Sequence, residues 1–127
     1  MHSSSHRMIR CGNCDWNFRI EGNSTRYVLL LHGAFSSGHT WEKIQAGLSK
    51  DFTVLVPDLP GHGSSIYYGK KVLDPDCITD ELIELRKALK IPHFEFIIGH
   101  SAGALIGASY LLIDKQPSKL IGIRDIR

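Results

Sequence analysis

FIIGHSAGA, residues 96–104, carries an apolar run into a Gly-His-Ser-Ala-Gly turn, after which small residues recur at helical spacing. A sharp passage from strand to helix lifts its central side chain above the sheet and forces the backbone toward a strained conformation. Residues two positions to either side must be small to avoid colliding across the turn, and Gly99 and Gly103 meet that need around Ser101. Gly103, Ala104, Gly107 and Ala108 then let the helix lie close against a sheet. Its amino terminus points free N–H groups and the positive end of the helix dipole at Ser101. G-x-S-x-G alone is a weak signal. Placed after a strand and opening a helix, it marks a serine nucleophile rather than a serine that merely caps the helix.

Outward from that turn, the chain alternates regularly. YVLLLHG (27–33) is an apolar run ended by glycine, the pattern of a strand buried on both faces. In 40–50, Trp41, Ile44 and Leu48 share a helical face, with Thr40 as the expected N-cap. FTVLVPDL (52–59) is a second buried strand, and 60–76 reads as a loop rich in turn residues. Ile78, Leu82, Leu85 and Leu89 then form one apolar helical stripe, capped by Asp74 or Asp76. A third strand at 94–99, a helix at 102–115 and a fourth strand at 119–126 complete the pattern. Such alternation predicts an α/β fold: a mostly parallel, doubly wound sheet with helices on both faces. Chemistry in such sheets gathers at the carboxyl ends of the strands, where HGAFSSG, DLPGHGSS and GHSAG lie.

Composition excludes several classes. With 127 residues, 43% hydrophobic and 22% charged, the chain suits one globular domain. Its net charge of +2 is too small to argue for nucleic acid or an anionic membrane surface, and no apolar run suffices for a membrane span. The amino terminus lacks the apolar core of a secretory signal, so a cytoplasmic protein is expected. Cys11 and Cys14, with His2 and His6, offer four zinc ligands, but Gly12-Asn13 between RMIRC and DWNFRI reads more simply as a hairpin turn. No metal or organic cofactor is expected. Residues 1–26 are read as a polar tail with a hairpin, and 27–127 as the α/β domain.

The ordered set LLLHGAFSSGHTW, VLVPDLPGHGSS and IIGHSAGA resembles the α/β-hydrolase superfamily over residues 27–127. GHSAGA is similar to small esterases, carbon–carbon bond hydrolases and hydrolase-like magnesium-chelatase accessory proteins, without selecting among them. The resemblance implies Ser101 as nucleophile, His32 and Gly33 shaping an oxyanion loop, and the amides of Ala34 and Ala102 as oxyanion donors. His100 is then the turn's own neighbour. Asp58, Gly61, Gly63 and Ser65 match the family's loop after its fourth strand.

The family order is serine, acid, then histidine. All 7 histidines of this sequence precede Ser101. Asp125 sits near a position that some members use for the acid, although a surface charge at a strand end is the plainer reading. The expectation is therefore a fold missing its carboxyl-terminal part, with 119–126 as strand six of eight. That strand would be an exposed edge open to self-association or a partner. Two functions follow: a serine hydrolase acting on a small ester or similar carbonyl substrate, or a truncated, inactive relative with a binding or accessory role.

Overall fold

Side chains on successive residues of a strand point to opposite faces, so a strand that is apolar at every position needs cover on both sides. The computed structural model, which describes residues 5–33 and 36–123, supplies that cover. Seven strands are present among the described residues: β1 (Ser5–Cys11), β2 (Cys14–Glu21), β3 (Tyr27–Leu31), β4 (Thr53–Pro57), the short β5 (Ile66–Tyr67), β6 (Phe96–His100) and β7 (Lys119–Ile123). Helices α1 (Glu42–Leu48), α2 (Pro75–Ala88) and α3 (Ala102–Asp114) connect them. The sheet runs β1-β2-β4-β3-β6-β7, with β4, β3, β6 and β7 mutually parallel and the β1–β2 hairpin antiparallel at one side.

Alternation along β3 divides the core. Val28 and Leu30 join Trp41, Val54, Val56 and Ile98, with Ile44 and Leu48 of α1 packed on them. Leu29 and Leu31 face the other way, onto Ile78, Leu82 and Leu85 of α2 and Ile106 and Tyr110 of α3. The predicted stripe on α2 is thus its core face, and Asp74 is its cap, accepting from the Cys77 N–H at 2.8 Å. Buried Arg86 fastens the far ends of α2 and α3, donating to Tyr110 Oη at 2.9 Å and to Asp114 Oδ1 at 3.0 Å.

Some details differ from the sequence reading. Residues 38–41 form a 3₁₀ turn before α1, and Ser37, not Thr40, caps it, accepting from the His39 N–H at 3.3 Å. Trp41 sits at the entry to α1, where its fully buried ring fixes the chain's approach. The loop after β4 also contains a strand, β5, which pairs with β2 at Cys14 and Asp15.

Cys11 faces Cys14 across the hairpin turn, where Gly12 has φ +56°. His6 lies five residues down β1 from Cys11, roughly 16 Å at strand spacing, so it does not approach the cysteines. His2 lies outside the described residues. Burial, together with the neighbouring Glu81 carboxylate, pushes the Cys14 thiol up to about 12, so little of it is thiolate near neutral pH. Among the described residues, no helix is long and apolar enough to cross a membrane.

Gly47 lies within α1 with nothing inside 4 Å of where a Cβ would stand. Gly47→Ala is therefore expected to raise stability by about 0.5–1 kcal/mol, since alanine loses less backbone freedom on entering a helix. Urea denaturation of the two proteins checks this.

Candidate active site

Between β6 and α3 the chain reverses direction in one residue. Ser101 takes φ +55° and ψ −118°, a region that L-residues with side chains rarely occupy and that costs about 1–3 kcal/mol. It stands at the N-cap position of α3 yet makes no side-chain cap bond, and it is exposed. Among the described residues its hydroxyl has no hydrogen-bond partner, so a purely capping role does not describe it. The turn is as crowded as the sequence suggested. A Cβ on Gly99 would meet the Gly103 carbonyl oxygen at 2.5 Å, and one on Gly103 would meet the Leu31 carbonyl oxygen at 2.3 Å.

The end of β3 reaches the same point. A Cβ on Gly33 would lie 3.1 Å from His100 Nδ1 and 3.3 Å from Ser101 Cβ, so the start of the β3 loop abuts the serine. Ala102, partly buried, begins α3, and its N–H has no carbonyl one turn earlier to bond. Ala34 and Asp125 lie outside the described residues.

Two side chains that the sequence reading placed in these loops, His32 and Asp58, hold them. His32 is fully buried; its Nδ1–H donates to the Gly33 carbonyl at 2.7 Å, and its Nε2 accepts the Leu59 N–H at 2.9 Å. Accepting at Nε2 while Nδ1–H donates requires neutral imidazole. Burial pushes His32 down from the ordinary 6.5, outweighing the Gly33 bond that favours its proton. Asp58 joins three segments, its Oδ1 accepting the Gly38 N–H at 2.7 Å and its Oδ2 accepting from Asn17 Nδ2 and the Ser64 N–H, both at 2.9 Å. Burial alone would raise this carboxyl, but the donors from Ser64, Asn17 and Gly38 outweigh it and hold Asp58 below the usual carboxylate value. Gly63, at φ +53°, wraps so closely that a Cβ there would strike Asp58 Oδ2 at 2.3 Å.

Strand order, turn and loops together invite comparison with known proteins. Residues 26–121 match the family described as alpha/beta hydrolase fold. The chain belongs to the α/β-hydrolase family. This α/β-hydrolase chain is 37% identical over 115 residues to the magnesium-chelatase 30 kDa subunit of Rhodobacter capsulatus, covering 90% of itself and 40% of that protein. It is 33% identical over 105 residues to a pimeloyl-(acyl-carrier protein) methyl ester esterase of Cronobacter sakazakii, covering 83% of itself and 36% of that protein. Among solved structures, an epoxide hydrolase from Vigna radiata superposes with a TM-score of 0.85 at 20% identity, over 96% of this chain and 38% of that one. At that identity the likeness is one of fold. The chain spans about two fifths of the length of these relatives.

Two clefts flank the Ser101 turn of this hydrolase domain. On the His100 side, a cleft of about 370 Å³ is lined by His39, Thr40, Glu42 and Lys43 together with the aliphatic Ile44. On the Ala102 side, an apolar cleft of about 220 Å³ is lined by Leu59, Leu105, Ile106 and His62 among others. The apolar cleft was not foreseen, because it brings together three segments far apart in sequence. His62 is tied into its own turn, with Nδ1 3.1 Å from the Pro60 carbonyl oxygen and its ring centroid 5.4 Å from that of His32.

Gly103→Ala should disorder the turn, since its methyl would meet backbone carbonyls of β3 that cannot rotate away. A loss of about 2–4 kcal/mol relative to Gly47→Ala is expected in urea denaturation, in line with overpacking and strain at a special backbone site. His32 makes a second expectation, for pH. Its folded value is depressed, so its stabilising contribution is complete above 6.5 and falls as acidification protonates the unfolded imidazole first. Urea midpoints measured from pH 7.5 to 5 should decline, and His32→Asn should remove that part of the slope.

Proposed function

We propose that this chain carries the nucleophile of a serine hydrolase acting on an ester or similar carbonyl substrate. The observation that carries the reading is the backbone of Ser101. A serine held at φ +55° and ψ −118° persists only where the surrounding structure over-determines it. In this reading Ser101 Oγ attacks the carbonyl carbon and a new C–O bond forms. The carbonyl electron pair moves onto oxygen, and the amides of Ala34 and Ala102 stabilise that oxyanion. Collapse expels the alcohol and leaves an acyl-serine, which water then hydrolyses. His32, Gly33, Gly99, His100 and Gly103 shape the turn and loop rather than react.

The hydroxyl proton must pass to a base, and the family order places a histidine imidazole after the serine and the acid. No histidine follows Ser101 in this sequence. Turnover in this reading requires an imidazole at Ser101 Oγ, with Asp125 as the candidate acid. Without it, the oxyanion donors and substrate binding support only a residual acceleration of about 10³–10⁴-fold over water. The β7 edge, where Ile121 is 44% exposed, favours a second reading: a catalytically silent member of the family with a binding or accessory role, pairing through that edge. Free Cys11, Cys14 and Cys77 suit a reducing compartment such as the cytoplasm under either reading.

Labelling with a fluorophosphonate probe separates the two. The hydrolase reading expects modification at Ser101 that disappears in Ser101→Ala and accelerates when imidazole is added as a replacement base. A protein folded by circular dichroism that takes up no probe, with or without imidazole, overturns it in favour of the accessory role.

A further inference from the structure

We propose that the cleft between the loop after β4 and the first turns of α2 and α3 is the acyl subsite beside Ser101, and that it takes a short, unbranched, uncharged aliphatic chain. This rests on the reading of Ser101 as nucleophile. The position comes from helical geometry. Ala102 and Ile106 are four residues apart and Leu105 is three from Ala102, so one face of α3 runs from the residue beside the serine into the cleft. A chain attached to an acyl group on Ser101 can therefore enter the cleft without bending back across the turn.

The lining fixes the chemistry. Leu59, Ile78 and Ile106 are 2%, 6% and 4% exposed and belong to the core, so the cleft ends on packed aliphatic carbon. Leu73 and Pro75 form the α2 side, and Leu105, 66% exposed, stands at the α3 side. Among the described lining residues His62 is the one titratable side chain, with Nδ1 turned toward the Pro60 carbonyl. A carboxylate or ammonium carried into this space would lose water and find no opposite charge among the described lining residues, which is strongly unfavourable. The opposite flank differs, since His39, Glu42 and Lys43 line the cleft beside His100. Of the two flanks, the Ala102 side carries no carboxylate or ammonium among its described lining residues and suits a hydrocarbon chain better.

Size sets the length. The volume of about 220 Å³ holds about seven groups at the roughly 30 Å³ of a water-sized unit, so chains of up to about six carbons fit. Each methylene that becomes buried should raise affinity about fourfold.

Binding of methyl acetate, butanoate, hexanoate and decanoate to the Ser101→Ala protein, followed by amide chemical shifts, tests the subsite without requiring turnover. The expected result is affinity climbing about fourfold per methylene to about six carbons and then levelling. The shift changes should centre on Leu59, Ile78, Leu105 and Ile106. Leu105→Trp, which fills the exposed side, should weaken hexanoate at least tenfold and leave acetate within about twofold; Leu105→Ser, a small polar change, should weaken hexanoate while retaining the fold. Equal affinities across the series, shifts elsewhere, or indifference to both Leu105 variants overturns the subsite. Fluorophosphonate labelling of the unsubstituted protein reports on Ser101 separately. Labelling with a flat series defeats the subsite alone. An intact series without labelling defeats the hydrolytic reading and leaves the aliphatic-chain site standing.

Discussion

Beside the serine turn, helix and sheet meet backbone to backbone. Gly103, in the first turn of α3, lies against the carbonyl oxygens of Leu31 and His32 at the end of β3, where a Cβ would stand 2.3 and 2.7 Å away. Only a helix without side-chain bulk at that point can come so near the sheet. That approach fixes the start of α3, and the chain leaving β6 must then reach it in one residue, which is why Ser101 adopts a positive φ. The strain is held by burial further along the helix, where Ile106 and Tyr110 pack into the same cluster as Leu29 and Leu31. Packing far from the serine thus keeps it exposed.

Electrostatics holds the loops around this contact. Asp58 accepts N–H groups from three separate segments, and buried carboxylates bonded in this way are strong organising groups because each donor would otherwise lack a partner. His32 works in the complementary state. It stays neutral so that one ring nitrogen donates to Gly33 while the other accepts from Leu59. One loop is therefore tied by a charge kept ionised and the other by a ring kept uncharged, and both ties survive together near neutral pH.

Much of this was legible in the sequence because it is local. Continuous apolar runs at 27–31 and 53–57 could only be strands covered on both faces, and the glycines two positions either side of Ser101 announced a tight turn. The α2 stripe also read true, with Leu82 and Leu85 in the core. What escaped the reading depends on distant partners. β5 is a strand only because β2 lies beside it, and nothing in Ile66-Tyr67 announces Cys14 and Asp15. The cap before α1 moved from Thr40 to Ser37 because burial of Trp41, a tertiary demand, decides where the chain enters the helix. Asp58 was visible as part of a motif, but its three donors come from residues 17, 38 and 64. Ala34 and Asp125 fall outside the described residues, so their proposed roles rest on resemblance.

The same division between local and distant applies to the chemistry. A strained serine, the first amide of a helix and a glycine-bearing loop are backbone features, and a contiguous stretch of chain can build them with no help from elsewhere. A base and its orienting acid are side chains that must be brought in by later strands and loops. A segment holding the first set can therefore fold its turn and loops without the second. Evolution can also remove the second set without disturbing the first, because Gly99, Gly103 and His32 answer to packing and hydrogen bonding alone. The geometry of Ser101 is thus evidence of hydrolase architecture, whereas activity depends on whether an imidazole reaches Oγ.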